Sequence, residues 1–296
     1  MNQTAKHQPV MLQEAVDALN VEANAWYVDA TFGRGGHTQE ILSRGGKVIA
    51  FDVDQQAIEY GQSKFADQIT EGKLKLVREN FDRLESTLDR DQKISGILFD
   101  FGTSVDQLTD DERGFSFDSD APLDMRMDNR LGVTAADLLN VLPEKQLADL
   151  FIEFGGEHQA RSIAKAIVQN REKGQPLTTT RGLADLIIRT KGRREALHPA
   201  TKVFQALRIA VNSELDAIEA ALPQAWNILQ PGGRIVTIAF HEGEDRPVKH
   251  ILKKWVAEGK GTIITDKPLT PSPAEVATNP RARSAKLRIF EKARGL

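Results

Sequence analysis

Ten residues near the N-terminus, V-D-A-T-F-G-R-G-G-H from Val28 to His37, constrain this chain more than any other stretch. An apolar strand ends on an acid, turns through three glycines and opens a helix expected over Thr38–Ser43, closed by Gly45-Gly46. A second strand, Val48-Ile49-Ala50-Phe51, runs into another acid, Asp52. Glycine lets backbone approach a ligand closely, and the free N–H groups of the new helix face that ligand. An acid at the tip of the next strand, about 20 residues on, is placed to bind a ribose diol. The stretch therefore reads as a nucleoside-cofactor site. A dinucleotide site wants G-x-G-x-x-G so that pyrophosphate sits over the helix N-terminus. Here the glycines are Gly33, Gly35 and Gly36, and Asp29 at the strand end repels a phosphate. An acid at that place suits a cofactor carrying an ammonium group, which points to S-adenosylmethionine. The bland alternative is a tight turn that binds nothing.

Strands alternate with helices through the first third, the pattern of a parallel sheet covered on both faces. Strands are expected at Tyr27–Ala30, Lys47–Phe51, Lys73–Arg78 and Ser95–Phe99, with helices near Gln55–Phe65 and Phe81–Leu88. Asp29, Asp52, Asn80 and Asp100 stand at the C-terminal ends of these strands, where open α/β sheets bind ligands. After Asp100 the alternation stops. Arg113 to Arg130 is irregular, and helical periodicity then runs to about Gln230. Val203, Phe204, Leu207, Val211, Leu215, Ile218 and Leu222 mark one face of a single long helix, with Pro199 as its first residue. Strands return at Arg234–Phe240, Gly261–Asp266 and Ser284–Glu291. The expected organisation is a discontinuous α/β domain, 1–107 and 202–296, interrupted by a helical substrate-recognition insertion at 108–201.

Composition removes several chemistries. The chain of 296 residues has no cysteine, which excludes disulfides, thiolate zinc sites and thiolate nucleophiles. A methylated group must then attack with its own lone pair. The N-terminus lacks the apolar core of a signal peptide and no run approaches a membrane span, so a cytoplasmic protein without membrane attachment is expected. Net charge is −3, but it is segregated: Ala160–Ala210 holds eleven Lys/Arg against three Asp/Glu, and Asp100–Asp128 two against nine. Within the basic stretch, Arg181, Arg189, Lys191, Arg193 and Arg194 are the candidates for nucleic-acid phosphates. The alternative is a solvated face.

Further strings converge on one family: R-G-F-S-F (113–117), P-L-D-M-R-M-D (122–128), H-P-A-T-K-V-F-Q-A-L-R-I-A-V-N-S-E-L (198–215) and N-P-R-A-R-S-A-K-L-R (279–288). With T-F-G-R-G-G-H, they resemble the bacterial 16S rRNA (cytosine-N4)-methyltransferase family, RsmH or MraW, over nearly the whole chain. The resemblance implies a Rossmann-like S-adenosylmethionine-dependent methyltransferase with an inserted helical domain. It also implies methylation of a cytidine in the decoding centre of the small ribosomal subunit. Carried onto this chain, the cofactor contacts are Gly35, Gly36, His37 and Asp52, with Phe81 against the adenine and Asp100 and Gln107 near the donor end. Two strings depart from the family's usual D-L-G-V-S-S-P-Q and S-F-H-S-L-E-D-R: here they read D-F-G-T-S-V-D-Q (100–107) and A-F-H-E-G-E-D-R (239–246).

Cytosine N4 is a poor nucleophile because its lone pair is delocalised into the ring. An acceptor on its N–H helps by holding the positive charge that develops during attack. Asp100 and the carbonyls of Phe101-Gly102-Thr103 are the best-placed acceptors, and no metal is needed. Asp124 either closes over the target base or salt-bridges Arg126 or Arg113. His241 either contacts the base or is a satisfied strand-end histidine. His198 reads as a helix cap. Phe115 and Phe117 are either platforms for an unstacked base or core. Two rivals remain: a ribosome-assembly factor that binds the cofactor without turnover, and a small-molecule methyltransferase. Monomer and homodimer are both open.

Overall fold

The computed structural model describes residues 9–89, 91–103, 110, 112–117, 120–192 and 198–295. Two compact units emerge, one made of Met1–Gly102 with Leu215–Leu296, the other of Thr103–Glu214.

The first unit is a seven-stranded sheet in the order β3-β2-β1-β4-β5-β7-β6. Its strands are β1 (Trp26–Asp29), β2 (Lys47–Phe51), β3 (Leu74–Val77), β4 (Ile94–Asp100), β5 (Leu229–Ala239), β6 (Gly261–Ile263) and β7 (Lys286–Lys292). Five are parallel, and β7 runs antiparallel to both β5 and β6. The central strands are apolar at nearly every position because both faces are covered. Tyr27, Val48, Ala50, Leu98 and Val236 join the core under the helix Leu12–Leu19. Val28, Ile49, Phe51, Ile97, Phe99 and Ile235 join the opposite core, with Ile218, Leu222, Val248 and Leu252. Strand order reverses between β1 and β4, and the crevice at such a switch point lies at the strands' carboxyl ends.

The elements depart from the sequence expectation in three instructive places. The helix Leu12–Leu19, with buried Ala15, Val16 and Leu19, was not foreseen. The strand expected to begin at Arg234 begins at Leu229, and Gln230–Gly233 lies within β5 as a bulge, with Ile94 matched to Leu229 but Gly96 to Arg234. The long helix expected through Val203–Leu222 is two helices, Thr201–Asn212 and Glu214–Ile228, because Ser213 takes a left-handed φ of 48°. Its apolar stripe is therefore shared: Val203, Phe204, Leu207 and Val211 serve the helical core, Ile218 and Leu222 the sheet core. That moves the division from 201/202 to 214/215. The helix starts at Thr201 with Ala200, not His198, as N-cap; the Ala200 N–H donates to His198 Nδ1 at 3.3 Å, so His198 braces the residue before the helix.

The second unit packs the helices Ala135–Val141, Glu144–Glu153, Ala160–Glu172, Thr180–Lys191 and Thr201–Asn212 around its own core. Among the described residues, no helix is long and apolar enough to cross a membrane.

Candidate functional site

β1 delivers Asp29 into the crevice at 1 % exposure, and its carboxylate is already engaged. Oδ2 accepts the Thr38 hydroxyl at 2.7 Å and Oδ1 accepts the Thr31 N–H at 3.2 Å. Asp29 thus pins the glycine loop to the helix that follows. Burial raises its pKa, against the opposing pull of His37, Thr38 and Thr31.

Two glycines of the loop serve different ends. Gly35 has φ +68°, and a Cβ there would meet the Phe32 and Phe65 rings at 2.6 and 2.7 Å, so packing demands glycine. Gly33 has φ +52° with nothing within 4 Å of where a Cβ would stand. Its backbone is open to an incoming group. Gly36 is the first residue of the helix Gly36–Ser43.

Asp52 sits just past β2. Its Oδ2 accepts the Gly33 N–H at 2.8 Å and its Oδ1 the Asp54 N–H at 2.9 Å. Burial pushes its pKa up to about 6 despite those two hydrogen bonds. Each carboxylate oxygen has a second lone pair, so both can accept further donors. Phe81 opens a short turn after β3 and lies edge-on to Phe99 at 5.7 Å, partly exposed.

Asp100 ends β4. Its N–H donates to the Thr31 hydroxyl at 2.7 Å, while its buried Oδ1 has no hydrogen-bond partner among the described residues. Oδ2 lies 3.8 Å from Nδ1 of His37, which is 5 % exposed and has Nε2 3.2 Å from the Val10 carbonyl. Burial first, then the charges of Asp29 and Glu244, hold the Asp100 pKa well above the usual carboxylate range; only Arg281 opposes them.

Glu244 is the member that sequence reading missed. It is 1 % exposed, and its Oε2 accepts the N–H groups of Phe240 at 2.7 Å and His241 at 3.3 Å. Its own N–H donates to His241 Nδ1 at 3.3 Å, completing a capping box at the start of the helix Glu242–Ala257. The H-x-x-E spacing carried that signal. His241 thus caps this helix through its ring. Lys286 and Arg288 are held on Asp245, with Arg288 Nε at 2.6 Å.

In the second unit, Asp124 takes its mundane role: Arg126 Nε and Nη2 reach its two oxygens at 2.7 Å each. Burial would raise Asp124, but the Arg126 hydrogen bonds outweigh it and hold the acid below its ordinary value. Of the two roles expected for Asp124, the salt bridge to Arg126 is the one seen. Phe115 is core at 7 % exposure, and Phe117 stacks on His198 with centroids 4.1 Å apart. Lys191 is also corrected. It is buried, 2.9 Å from Glu157 Oε2 and 3.1 Å from the Pro199 carbonyl, and presents no charge to a partner. Arg181 and Arg189 are exposed. Gln107, Arg193 and Arg194 lie outside the described residues.

In the sheet unit, then, Asp29, Asp52 and Asp100 stand at the ends of three neighbouring parallel strands, with Glu244 close enough to act on Asp100. No metal-binding group of His and acids occurs among the described residues. Such an edge repels phosphate and favours a cationic nucleoside. The open backbone at Gly33 and the unpartnered Asp100 oxygen leave room and unused acceptors for one. Sheet order, glycine loop and acidic rim together define a Rossmann-like methyltransferase whose methyl donor is S-adenosylmethionine. The chain belongs to the MraW methylase family, whose model matches residues 4–293. It is similar to the ribosomal RNA small subunit methyltransferase H of Coprothermobacter proteolyticus, 43 % identical over 299 residues covering 100 % of this chain and 99 % of that protein. The enzyme of the same name from Acidobacterium capsulatum is 44 % identical, covering 97 % and 98 %.

Proposed function

We propose that this enzyme methylates the exocyclic N4 amine of a cytidine in the decoding centre of 16S rRNA, acting in the cytoplasm on the small ribosomal subunit. The relatives' names support rRNA of the small subunit as substrate. The observation that carries the chemistry is the buried, unpartnered Oδ1 of Asp100. When bound, the donor supplies an electrophilic methyl group on a sulfonium.

The remaining work falls to the chain. Asp52 accepts the two ribose hydroxyls through its spare lone pairs. Gly33, Gly35 and Gly36 let the loop backbone close on the nucleoside, and Phe81 lies against the adenine. Asp29 holds the loop and contributes negative charge, as does Glu244. His37 stands beside Asp100 Oδ2, its Nδ1 3.8 Å away. Asp100 Oδ1 accepts the amine N–H, stabilising the charge that grows on N4, and takes the proton as the N–C bond forms and the S–C bond breaks. Burial and the neighbouring acids, which raise its pKa, make the ionised carboxylate a stronger base toward the amine proton. Positioning supplies much of the remaining rate.

Incubation with methyl-labelled donor and unmodified small subunits, followed by nuclease digestion and mass spectrometry, is expected to place the label on cytidine N4. Label on a ring carbon or a ribose oxygen would refute the assignment. Uptake of donor without any transfer would favour the assembly-factor reading.

Donor affinity is expected to depend on pH through Asp52. Its pKa of about 6 is raised, so in the free protein it contributes stability at low pH that is lost as pH rises through about 6. The donor's hydroxyls prefer the ionised carboxylate, so binding has the opposite slope. Calorimetry should find donor affinity roughly tenfold weaker at pH 5 than at pH 7.5. Asp52→Ala should weaken binding by about a hundredfold at neutral pH, through two lost hydrogen bonds to a charged group.

A further inference from the structure

The helical unit carries cationic charge that its own structure does not use. From Ala160 to Gly192 there are seven Lys/Arg and two Asp/Glu. Two of the seven are internal: Arg171 donates to the Leu139 and Leu142 carbonyls, and Lys191 is buried on Glu157. The other five, Arg161, Lys165, Lys173, Arg181 and Arg189, are exposed and have no ion-pair partner among the described residues.

Their placement is regular. Arg161, Lys165, Gln169 and Lys173 recur every fourth position, so they line one edge of the helix Ala160–Glu172 at steps of about 6 Å. Like charges at i and i+4 destabilise a helix, so this pattern works against the element that bears it. Beside this edge, between Ala160–Glu172 and Thr180–Lys191, lies a groove of about 240 Å³. Ala166 and Leu186 give it apolar surface, Gln169 and Thr190 polar groups, and Lys173 and Arg189 two cations. Its volume is below the roughly 300–1,000 Å³ that encloses a small-molecule ligand. A sugar on the apolar patch with a phosphate between two cations matches it better.

We propose that this groove and the cationic edge beside it bind the phosphate backbone of the RNA substrate, with Lys173 and Arg189 on one phosphate and Lys165 and Arg161 on two phosphates further along the strand. The inference rests on rRNA being the substrate. It assigns to the helical unit a sequence-independent grip, since phosphate contacts set affinity and register while base contacts specify.

The test uses the full-length enzyme carrying Lys173→Ala/Arg189→Ala or Arg161→Ala/Lys165→Ala. Binding of an unmodified 16S rRNA transcript is measured across a potassium chloride series, alongside methylation of small subunits. Each pair should raise KM about tenfold and leave kcat and donor affinity within twofold; the log–log salt slope should become shallower by about 0.7 for the Lys173 and Arg189 pair, which shares one phosphate, and by about 1.4 for the Arg161 and Lys165 pair, which holds two. Lys173→Arg should keep wild-type KM. Unchanged slope and KM in both pairs would overturn the proposal, as would wild-type binding of poly-glutamate as tightly as the transcript. If wild type transfers no methyl to rRNA, the substrate reading fails, and the salt slopes still decide the surface separately.

Discussion

Asp100→Asn is expected to lower kcat for methyl transfer by about 10³-fold while changing donor affinity less than fivefold. Asparagine keeps the shape and the contact of the Asp100 backbone N–H with the Thr31 hydroxyl, so the strand end stays in place. What is lost is a negative acceptor aimed at the developing charge and a group able to take the proton. Each such contribution is typically about 10²–10³-fold in rate. A purely structural role would instead move donor affinity and folding together with kcat.

The same substitution should stabilise the free protein. The folded-state pKa of Asp100 lies well above its ordinary value of 3.8, because burial and the charges of Asp29 and Glu244 penalise the ionised form. Such a group favours folding below its unfolded pKa and loses that contribution as pH rises. The thermal stability gained by Asp100→Asn should therefore be absent near pH 3 and grow toward pH 8. Thermal melts across that range, read beside single-turnover rates, separate a functional acid from a scaffolding one. A carboxylate with a buried oxygen left without a hydrogen-bond donor is a stability cost of the kind active sites carry.

The second large effect is on stability, at the buried ion pair of the helical unit. Lys191→Met is expected to destabilise that unit by about 3–5 kcal/mol, because Glu157 is left charged and buried without its partner. The lysine and glutamate side chains are 1 % and 2 % exposed, so water cannot substitute. Burial would raise Glu157, but the Gln159 N–H and Lys191 hold it below its ordinary value. Its stabilising contribution is therefore present above the unfolded pKa and lost as pH falls. In Lys191→Met that restraint is gone, Glu157 protonates more readily, and the deficit should shrink toward acidic pH. Adding Glu157→Leu should recover most of the loss. Denaturant titration of the two variants and wild type measures this directly. At temperatures where Lys191→Met is folded, its salt slope for RNA should equal wild type, in contrast to the Lys173 and Arg189 pair.

Much of the sheet was readable from local patterns. β2 was expected at Lys47–Phe51 and occurs there, because an apolar run bounded by Gly46 and Asp52 leaves little freedom. Asp52 was likewise legible, since a strand-end acid a fixed distance from a glycine loop has one position in this topology. The single helix from Val203 to Leu222 was not readable as two. An apolar stripe shows which residues are buried but not which core buries them, and Ser213 carries no glycine or proline to announce the break. The helix Leu12–Leu19 was missed amid a polar N-terminal stretch, where tertiary burial of Ala15, Val16 and Leu19 outweighs weak local signals.

The charged residues show where the boundary between the two levels falls. Periodicity, glycine placement and strand-end acids are properties of neighbours along the chain, and they were enough to place an α/β sheet, a glycine loop and the acids at its rim. The role of a charge depends instead on what lies within a few ångströms of it in space. Lys191 looked like its basic neighbours and is spent on Glu157, 34 residues away. Asp124, a candidate catalyst, is occupied by Arg126. Glu244, given no role from the sequence, acts on Asp100 from the far side of the insertion. Electrostatic energy depends on through-space distance and burial, and folding, not sequence order, sets both.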